Sequence, residues 1–208
     1  TLAGRAVQVR LDGSNVTVKE APNGVVIYYG WDADNRLSSL HHVASDGSAL
    51  VYFDYAYDAA GRIVRIDRED GSHQYYAYDE ADRLVDEHHV AAGGGTLYAF
   101  SWDYDGAGNR TYQKAGAEET YYTYDASNQL VQSRLLGSGW TYYSYDASGN
   151  MLTESAPGGT TYFSYNAANM VSTVHHPDDS WTYFHYDGRL RRYAIEDGDG
   201  LHYLTWDW

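Results

Sequence analysis

An aromatic residue followed by an acid or its amide recurs nine times in this 208-residue chain, at Trp31-Asp32, Tyr57-Asp58, Tyr78-Asp79, Tyr104-Asp105, Tyr124-Asp125, Tyr145-Asp146, Tyr165-Asn166, Tyr186-Asp187 and Trp206-Asp207. The spacings are 26, 21, 26, 20, 21, 20, 21 and 20 residues. A period this short holds two strands and two turns and leaves no length for a helix. The expectation is an all-β chain of tandem antiparallel β-hairpins, running as one continuous meander over residues 1–208. Such an array has roughly 17 strands, and open twisted sheets of that width curl rather than stay flat.

The columns flanking each pair sharpen this expectation. Two residues before the anchor aromatic stand Tyr29, Tyr55, Tyr76, Trp102, Tyr122, Tyr143, Phe163, Phe184 and Leu204, and three before it Tyr28, Tyr75, Tyr121, Tyr142, Tyr162, Tyr183 and Tyr203. Successive strand residues face opposite ways, so these columns predict strands covered on both faces. Three positions after the acid come Asn35, Gly61, Asp82, Gly108, Asn128, Gly149 and Asn169, the residue types that best tolerate positive φ. A left-handed residue is expected there, with the anchor acid accepting backbone N–H bonds across the turn. An aliphatic restarts the strand at Leu37, Ile63, Leu84, Leu130, Met151 and Val171; Arg110 breaks the column, and the early arrival of Leu190 after Asp187 predicts a shortened turn.

The opposite turns fall at Pro22-Asn23-Gly24, Asp70-Gly71, Gly137-Ser138-Gly139, Pro157-Gly158-Gly159, Pro177-Asp178-Asp179 and Asp199-Gly200, and they hold every proline of the chain. Residues 37–62 and 84–109 match at an offset of 47, with His41-His42 recurring as His88-His89. The array grows by copying. Its two 26-residue repeats carry their extra length around residues 45–49 and 92–96, where a rim should project.

Charge and composition bound the partners. A net charge of −15 repels a nucleic-acid backbone and an anionic membrane alike. With no cysteine, disulfides and thiolate metal sites are excluded. No apolar run reaches the ~18 residues of a membrane helix, so membrane insertion is not expected. The chain opens without Met or a signal sequence, and with Gly4-Arg5 at one end and Trp206-Asp207 at the other, both ends are expected to fall inside repeats of a longer parent, leaving strand edges open to pairing.

The run Tyr55-Ala56-Tyr57-Asp58-Ala59-Ala60-Gly61-Arg62-Ile63 resembles the aromatic-x-Tyr-Asp-x-x-Gly-Arg signature of YD, or Rhs, repeats, known from bacterial polymorphic toxins, Tc toxin complexes and teneurins. The resemblance implies a hairpin sheet spiralling into a hollow shell that encloses a C-terminal toxin or displays adhesion surfaces, in a secreted or cell-surface protein. Its partners would be the remaining repeats of the parent chain, an enclosed toxin, or a surface glycan. The nine anchor pairs from Trp31-Asp32 to Trp206-Asp207, with Gly61, Gly108 and Gly149, are then structural repeat anchors. The core-associated segment with catalytic aspartates that closes toxin-type shells is not expected among these 208 residues.

His41-His42, His88-His89 and His175-His176 share a register, but adjacent strand residues face opposite ways and a pair cannot chelate one ion through both rings. The run Glu196-Asp197-Gly198-Asp199-Gly200 loosely resembles a calcium loop and lacks the later bidentate Glu. There is no Gly-x-Ser-x-Gly elbow or phosphate loop, and Gly137-Ser138-Gly139 sits where a hairpin turn belongs. Nothing singles out two of the 29 acids as a glycosidase pair. Repeated Tyr and Trp columns serve as cross-strand ladders, or alternatively as sugar-stacking surfaces. No catalytic residue, cofactor or metal is expected. The chain is read as a non-catalytic scaffold, with a glycan- or receptor-binding adhesion module as the alternative.

Overall fold

The computed structural model describes residues 7–204, and these form nineteen strands and no helix. The chain divides into two compact units, residues 1–102 with 114–116 and residues 103–113 with 117–208. In the first unit lie β1 (Gln8–Asp12), β2 (Asn15–Glu20), β3 (Val26–Trp31), β4 (Leu37–Val43), β5 (Ala49–Tyr57), β6 (Ile63–Arg68), β7 (His73–Tyr78) and β8 (Leu84–Val90). The division falls within β9 (Thr96–Tyr104) and β10 (Arg110–Ala115). The second unit continues with β11 (Glu118–Tyr124), β12 (Leu130–Leu135), β13 (Gly139–Tyr145), β14 (Met151–Ala156), β15 (Gly159–Tyr165), β16 (Val171–His175), β17 (Trp181–Tyr186), β18 (Arg192–Asp197) and β19 (Gly200–Tyr203).

Within each unit every strand pairs antiparallel with its chain neighbours, β1 to β9 in the first and β11 to β19 in the second. The hairpin meander read from the repeat period is what the chain forms. The two strands beyond the expected 17 are β1 and β2, a hairpin ahead of the first anchor. The extra length of the 26-residue repeats goes into the longest strands, β5 and β9, of nine residues each.

Burial alternates along some strands, although β4, β6 and β8 are half-buried throughout, and here one expectation fails. In β13 the pattern runs exposed at Trp140, Tyr142 and Ser144 and half-buried at Thr141, Tyr143 and Tyr145. The column three before the anchor is open to solvent except at the half-buried Tyr75: Tyr28, Tyr121, Tyr142, Tyr162 and Tyr183 are all exposed, and Tyr203 is 70% exposed. The strands are therefore not covered on both faces. Tyrosine tolerates this because its ring pays for cross-strand contact while its hydroxyl stays wet. Among the described residues only Val174 and Ala194 are buried apolar side chains, and no large side chain is fully buried. Each unit is thus a single layer, without the second layer that ordinarily closes a core, and cross-strand contacts within the layer carry its stability.

A bulge recurs that the sequence did not reveal. The pairing register slips by one residue just before the anchor, between Gly30 and Trp31, Ala56 and Tyr57, Ala77 and Tyr78, Thr123 and Tyr124, Ser144 and Tyr145, Ser164 and Tyr165, and His185 and Tyr186. Each anchor then opposes the residue that restarts the next strand, as Trp31 opposes Leu37 and Tyr57 opposes Ile63. The extra residue turns that aliphatic onto the half-buried face beside the anchor ring, where simple alternation would have pointed it the other way.

Candidate functional site

The turn that follows each anchor pair is built the same way throughout. In the first, the Asp32 N–H donates to the Arg36 carbonyl (2.9 Å) and the Asn35 N–H to the Asp32 carbonyl (3.1 Å). The same two bonds close the turns at Asp58, Asp79, Asp105, Asp125, Asp146, Asn166 and Asp187. This is a three-residue loop ending in a left-handed residue. Positive φ falls at Asn35 (65°), Gly61 (85°), Asp82 (62°), Gly108 (92°), Asn128 (60°), Gly149 (84°) and Asn169 (57°), every position marked in the sequence.

The last turn corrects the sequence reading. It is not shortened: Asp187 N–H reaches the Arg191 carbonyl (2.9 Å), and Leu190 occupies the left-handed position at φ 63°. The aliphatic does not start the strand but fills the place that Gly, Asn or Asp holds elsewhere.

Most anchor carboxylates use both oxygens. Asp58 Oδ1 accepts the Ala60 and Arg62 backbone N–H groups (2.9 and 3.0 Å), while Oδ2 accepts the Arg62 guanidinium (2.7 Å). Asp32, Asp79 and Asp187 repeat this with Arg36, Arg83 and Arg191. At Asp105 and Asp146 the carboxamides of Asn109 and Asn150 replace the guanidinium. Asp125 and Asn166 keep the backbone pair. These bonds favour the ionised form, and the carboxyls of Asp32, Asp58, Asp79 and Asp187 lie below the usual range, chiefly through the backbone N–H four residues on. For Asp105 and Asp146 the Asn side chain is the leading cause.

The anchor aromatics reach the preceding repeat. Tyr57 Oη donates to the Leu37 carbonyl (2.7 Å), Tyr78 to Ile63 (2.9 Å), Tyr124 to Arg110 (3.0 Å), Tyr145 to Leu130 (2.9 Å) and Tyr186 to Val171 (2.9 Å). Trp31 does the same through its indole N–H to Val16 (2.9 Å). The side chain four after the acid reaches the following repeat. Arg36 lies 4.6 Å over the Tyr57 ring and Arg62 4.7 Å over that of Tyr78, and Arg62 also pairs with Asp82 (2.6 Å). Asn109 and Asn150 donate to the left-handed residues of the next turns, Asn128 (2.8 Å) and Asn169 (3.1 Å). These bonds between repeats were missed, although the fourth position after the acid is Arg, Asn or Gln in seven of eight turns and could have signalled them. The last anchor, Trp206-Asp207, and Gly4-Arg5 lie outside the described residues.

The remaining sequence motifs take other places. His41 and His42 pair across strands with Tyr28 and Ile27 respectively, on opposite faces. His41 Nε2 meets Asp54 (2.8 Å) and His88 Nδ1 meets Asp86 (2.7 Å). His175 stacks on Trp181 with centroids 4.3 Å apart and planes 11° from parallel. The run 196–200 closes the β18–β19 hairpin, with the Asp199 N–H on Asp197 Oδ1 (3.0 Å). Among the described residues, no three His, Cys, Asp or Glu side chains gather as a metal site. A half-buried network in the first unit links Arg68 to Gln74 (2.8 Å) and Gln74 to Glu87 (2.7 Å) and Tyr98 (2.7 Å). Beside it, burial and then the Glu87 carboxylate push the Tyr76 phenol up to about 12.

Comparison with known proteins agrees with this geometry. The RHS Repeat family model matches residues 57–96, 124–161 and 145–180. No curated protein sequence matches the chain. Among solved structures, the Tc holotoxin pore of Photorhabdus luminescens superimposes with a TM-score of 0.59 at 15% identity, covering 92% of this chain and 13% of that one. The TcdB2–TccC3 complex gives 0.60 at 16% identity, covering 92% and 14%. Identity that low establishes a shared fold, and the chain spans about one-seventh of the length of the structures it matches. With its turns, bulges and anchor bonds repeating in register and the repeat model aligned to three stretches, the chain carries YD/Rhs repeats.

Proposed function

We propose that the chain is a non-catalytic segment of wall in a secreted or cell-surface protein, enclosing or displaying another domain. The observation that carries this reading is where the repeated polar groups go. Each anchor acid closes its own turn, and the anchor aromatics bond the repeat before, leaving a sheet whose chemistry serves its own continuation. A single layer with almost no buried apolar side chain suits a surface that holds a volume rather than a core. Electron microscopy of a longer protein carrying these repeats tests the reading. Density enclosed by the sheet is expected, and repeats standing free with both faces in solvent would overturn it.

A second reading, a glycan-binding adhesion face, is favoured by the exposed column of Tyr121, Tyr142, Tyr162, Tyr183 and Tyr203. Against it, His175 and Trp181 stack face to face, so those rings turn edges rather than open faces outward. A glycan array decides between the two, with micromolar binding favouring adhesion.

A further inference from the structure

Repetition in this chain marks structure, so the place that departs from the repeat is where another role is to be sought. The turn at Asp187 departs three times over. Its second residue is Arg189, where the other turns have Asp34, Ala60, Ala81, Ala107, Ser127, Ser148 and Ala168. Its left-handed residue is Leu190, where the others have Asn, Gly or Asp. Its strand restarts at Arg192 rather than an aliphatic, a change shared only with Arg110. Three of the chain's 14 basic residues thus fall within four positions of a chain carrying 29 acids.

The three arginines differ in freedom. Arg191 is held by Asp187 (2.9 and 2.8 Å) and Arg192 lies 5.4 Å from the Phe184 ring centroid. Arg189 is exposed, and its side chain has no partner among the described residues. Leu190, next to it, is 59% exposed in a conformation that aliphatic residues rarely hold. Strain at a hairpin tip makes that hairpin open more readily than its unstrained neighbours.

We propose that the Arg189–Leu190 bond is a processing site for a serine protease that cleaves after arginine. The free guanidinium suits an acidic specificity pocket, and local opening of the strained turn presents the bond. Hydrolysis breaks the amide C–N bond, with the hydroxyl of water joining the Arg189 carbonyl carbon and a proton going to the Leu190 nitrogen. The cut relaxes Leu190 without separating the two fragments, because β17 and β18 stay paired through Tyr183–Glu196, Phe184–Ile195 and His185–Ala194. The product is a nicked sheet.

Limited trypsin digestion of the whole chain, read by mass spectrometry, tests this. The first cut is expected between Arg189 and Leu190, ahead of any at Arg36, Arg62 or Arg83, with both fragments co-eluting under native conditions. Arg189→Gln should remove that cut and Arg189→Lys should keep it. Leu190→Asn leaves the recognised arginine in place and should slow cleavage roughly five- to thirty-fold, the population factor matching the left-handed penalty. Ala60→Arg places an arginine beside Gly61, in an unstrained turn, and should stay resistant. A first cut elsewhere, unchanged cleavage of Leu190→Asn, or equally fast cutting of the Ala60→Arg turn would each overturn the proposal.

Discussion

Gly61 offers a measurement of backbone conformation with little else mixed in. It sits at φ 85°, and a Cβ added there would meet nothing nearer than Arg36 Nη1 at 3.6 Å, an ordinary contact. Any loss on substitution therefore comes from the left-handed conformation, which costs an L-residue about 1–2 kcal/mol. Alanine recovers about 0.4–1 kcal/mol of this by stiffening the unfolded chain, so Gly61→Ala should lose somewhat under about 1 kcal/mol. Valine adds β-branching, and Gly61→Val should lose about 2 kcal/mol. Asparagine holds the same place at Asn35, Asn128 and Asn169, so Gly61→Asn should be nearly neutral. Read as thermal melting at about 2–4 °C per kcal/mol for a chain this long, the order Gly, Asn, Ala, Val should span about 4–8 °C. Ala60→Val, one residue earlier, is the control and should be mild. Run in reverse, the same scale gives Leu190→Asn about 1 kcal/mol of added stability. If valine and asparagine cost the same at residue 61, or if Leu190→Asn destabilises, the left-handed reasoning is wrong.

Other consequences are open to test. Tyr78→Phe removes the bond to the Ile63 carbonyl and should cost about 0.5–1.5 kcal/mol in urea unfolding, whereas Tyr75→Phe, whose ring lies against His88, should cost less; equal losses would refute the bond between repeats. The carboxyls of Asp32, Asp58, Asp79, Asp105, Asp146 and Asp187 are lowered in the fold, so their stabilisation is full above about pH 4 and is lost as pH falls through the lowered values. An acid titration followed by circular dichroism should show unfolding below that point, later to set in for the parent than for Asp58→Asn. Tyr76 is raised to about 12, which makes its contribution complete below about pH 10 and lost as pH climbs through the raised value; tyrosinate absorbance should rise together with unfolding. Finally, neither a chelator nor added zinc should move the melting temperature, since a bound ion would stabilise the fold by mass action; a rise of several degrees with calcium would point to the turn at Asp197.

Turn chemistry was the most legible part of the fold, because a positive φ restricts residue type at one position whatever surrounds it. Asn35 and Gly61 announce their conformation by identity alone. Leu190 misled for the same reason, since an aliphatic at that position violates the local rule and was assigned to the strand instead. The bulge before each anchor was hidden because no residue type is required for it, and so the side facing inward at Leu37 could not be read by counting alternate positions. Exposure of the Tyr142 column was also illegible: the sequence shows that an aromatic is present on a face, and only the structure shows that no second layer meets it. The bonds between repeats were half legible, with Arg62 and Asn150 in a recurring polar column whose reach of about 20 residues along the chain only the paired strands reveal.

The phenols of Tyr57, Tyr78, Tyr124, Tyr145 and Tyr186 each seek a main-chain carbonyl in the preceding repeat rather than a particular side chain. Every amino acid supplies that acceptor. A newly inserted repeat therefore finds its binding partner already present in whatever precedes it, and offers the same to whatever follows, without any compensating change in either neighbour. Leu37, Ile63 and Val171 are aliphatic and Arg110 is charged, yet each receives the incoming hydroxyl through its carbonyl. An array joined this way is free to lengthen by gene duplication and to let its side chains drift afterwards, and the 47-residue copy between residues 37–62 and 84–109 is what such a history leaves behind.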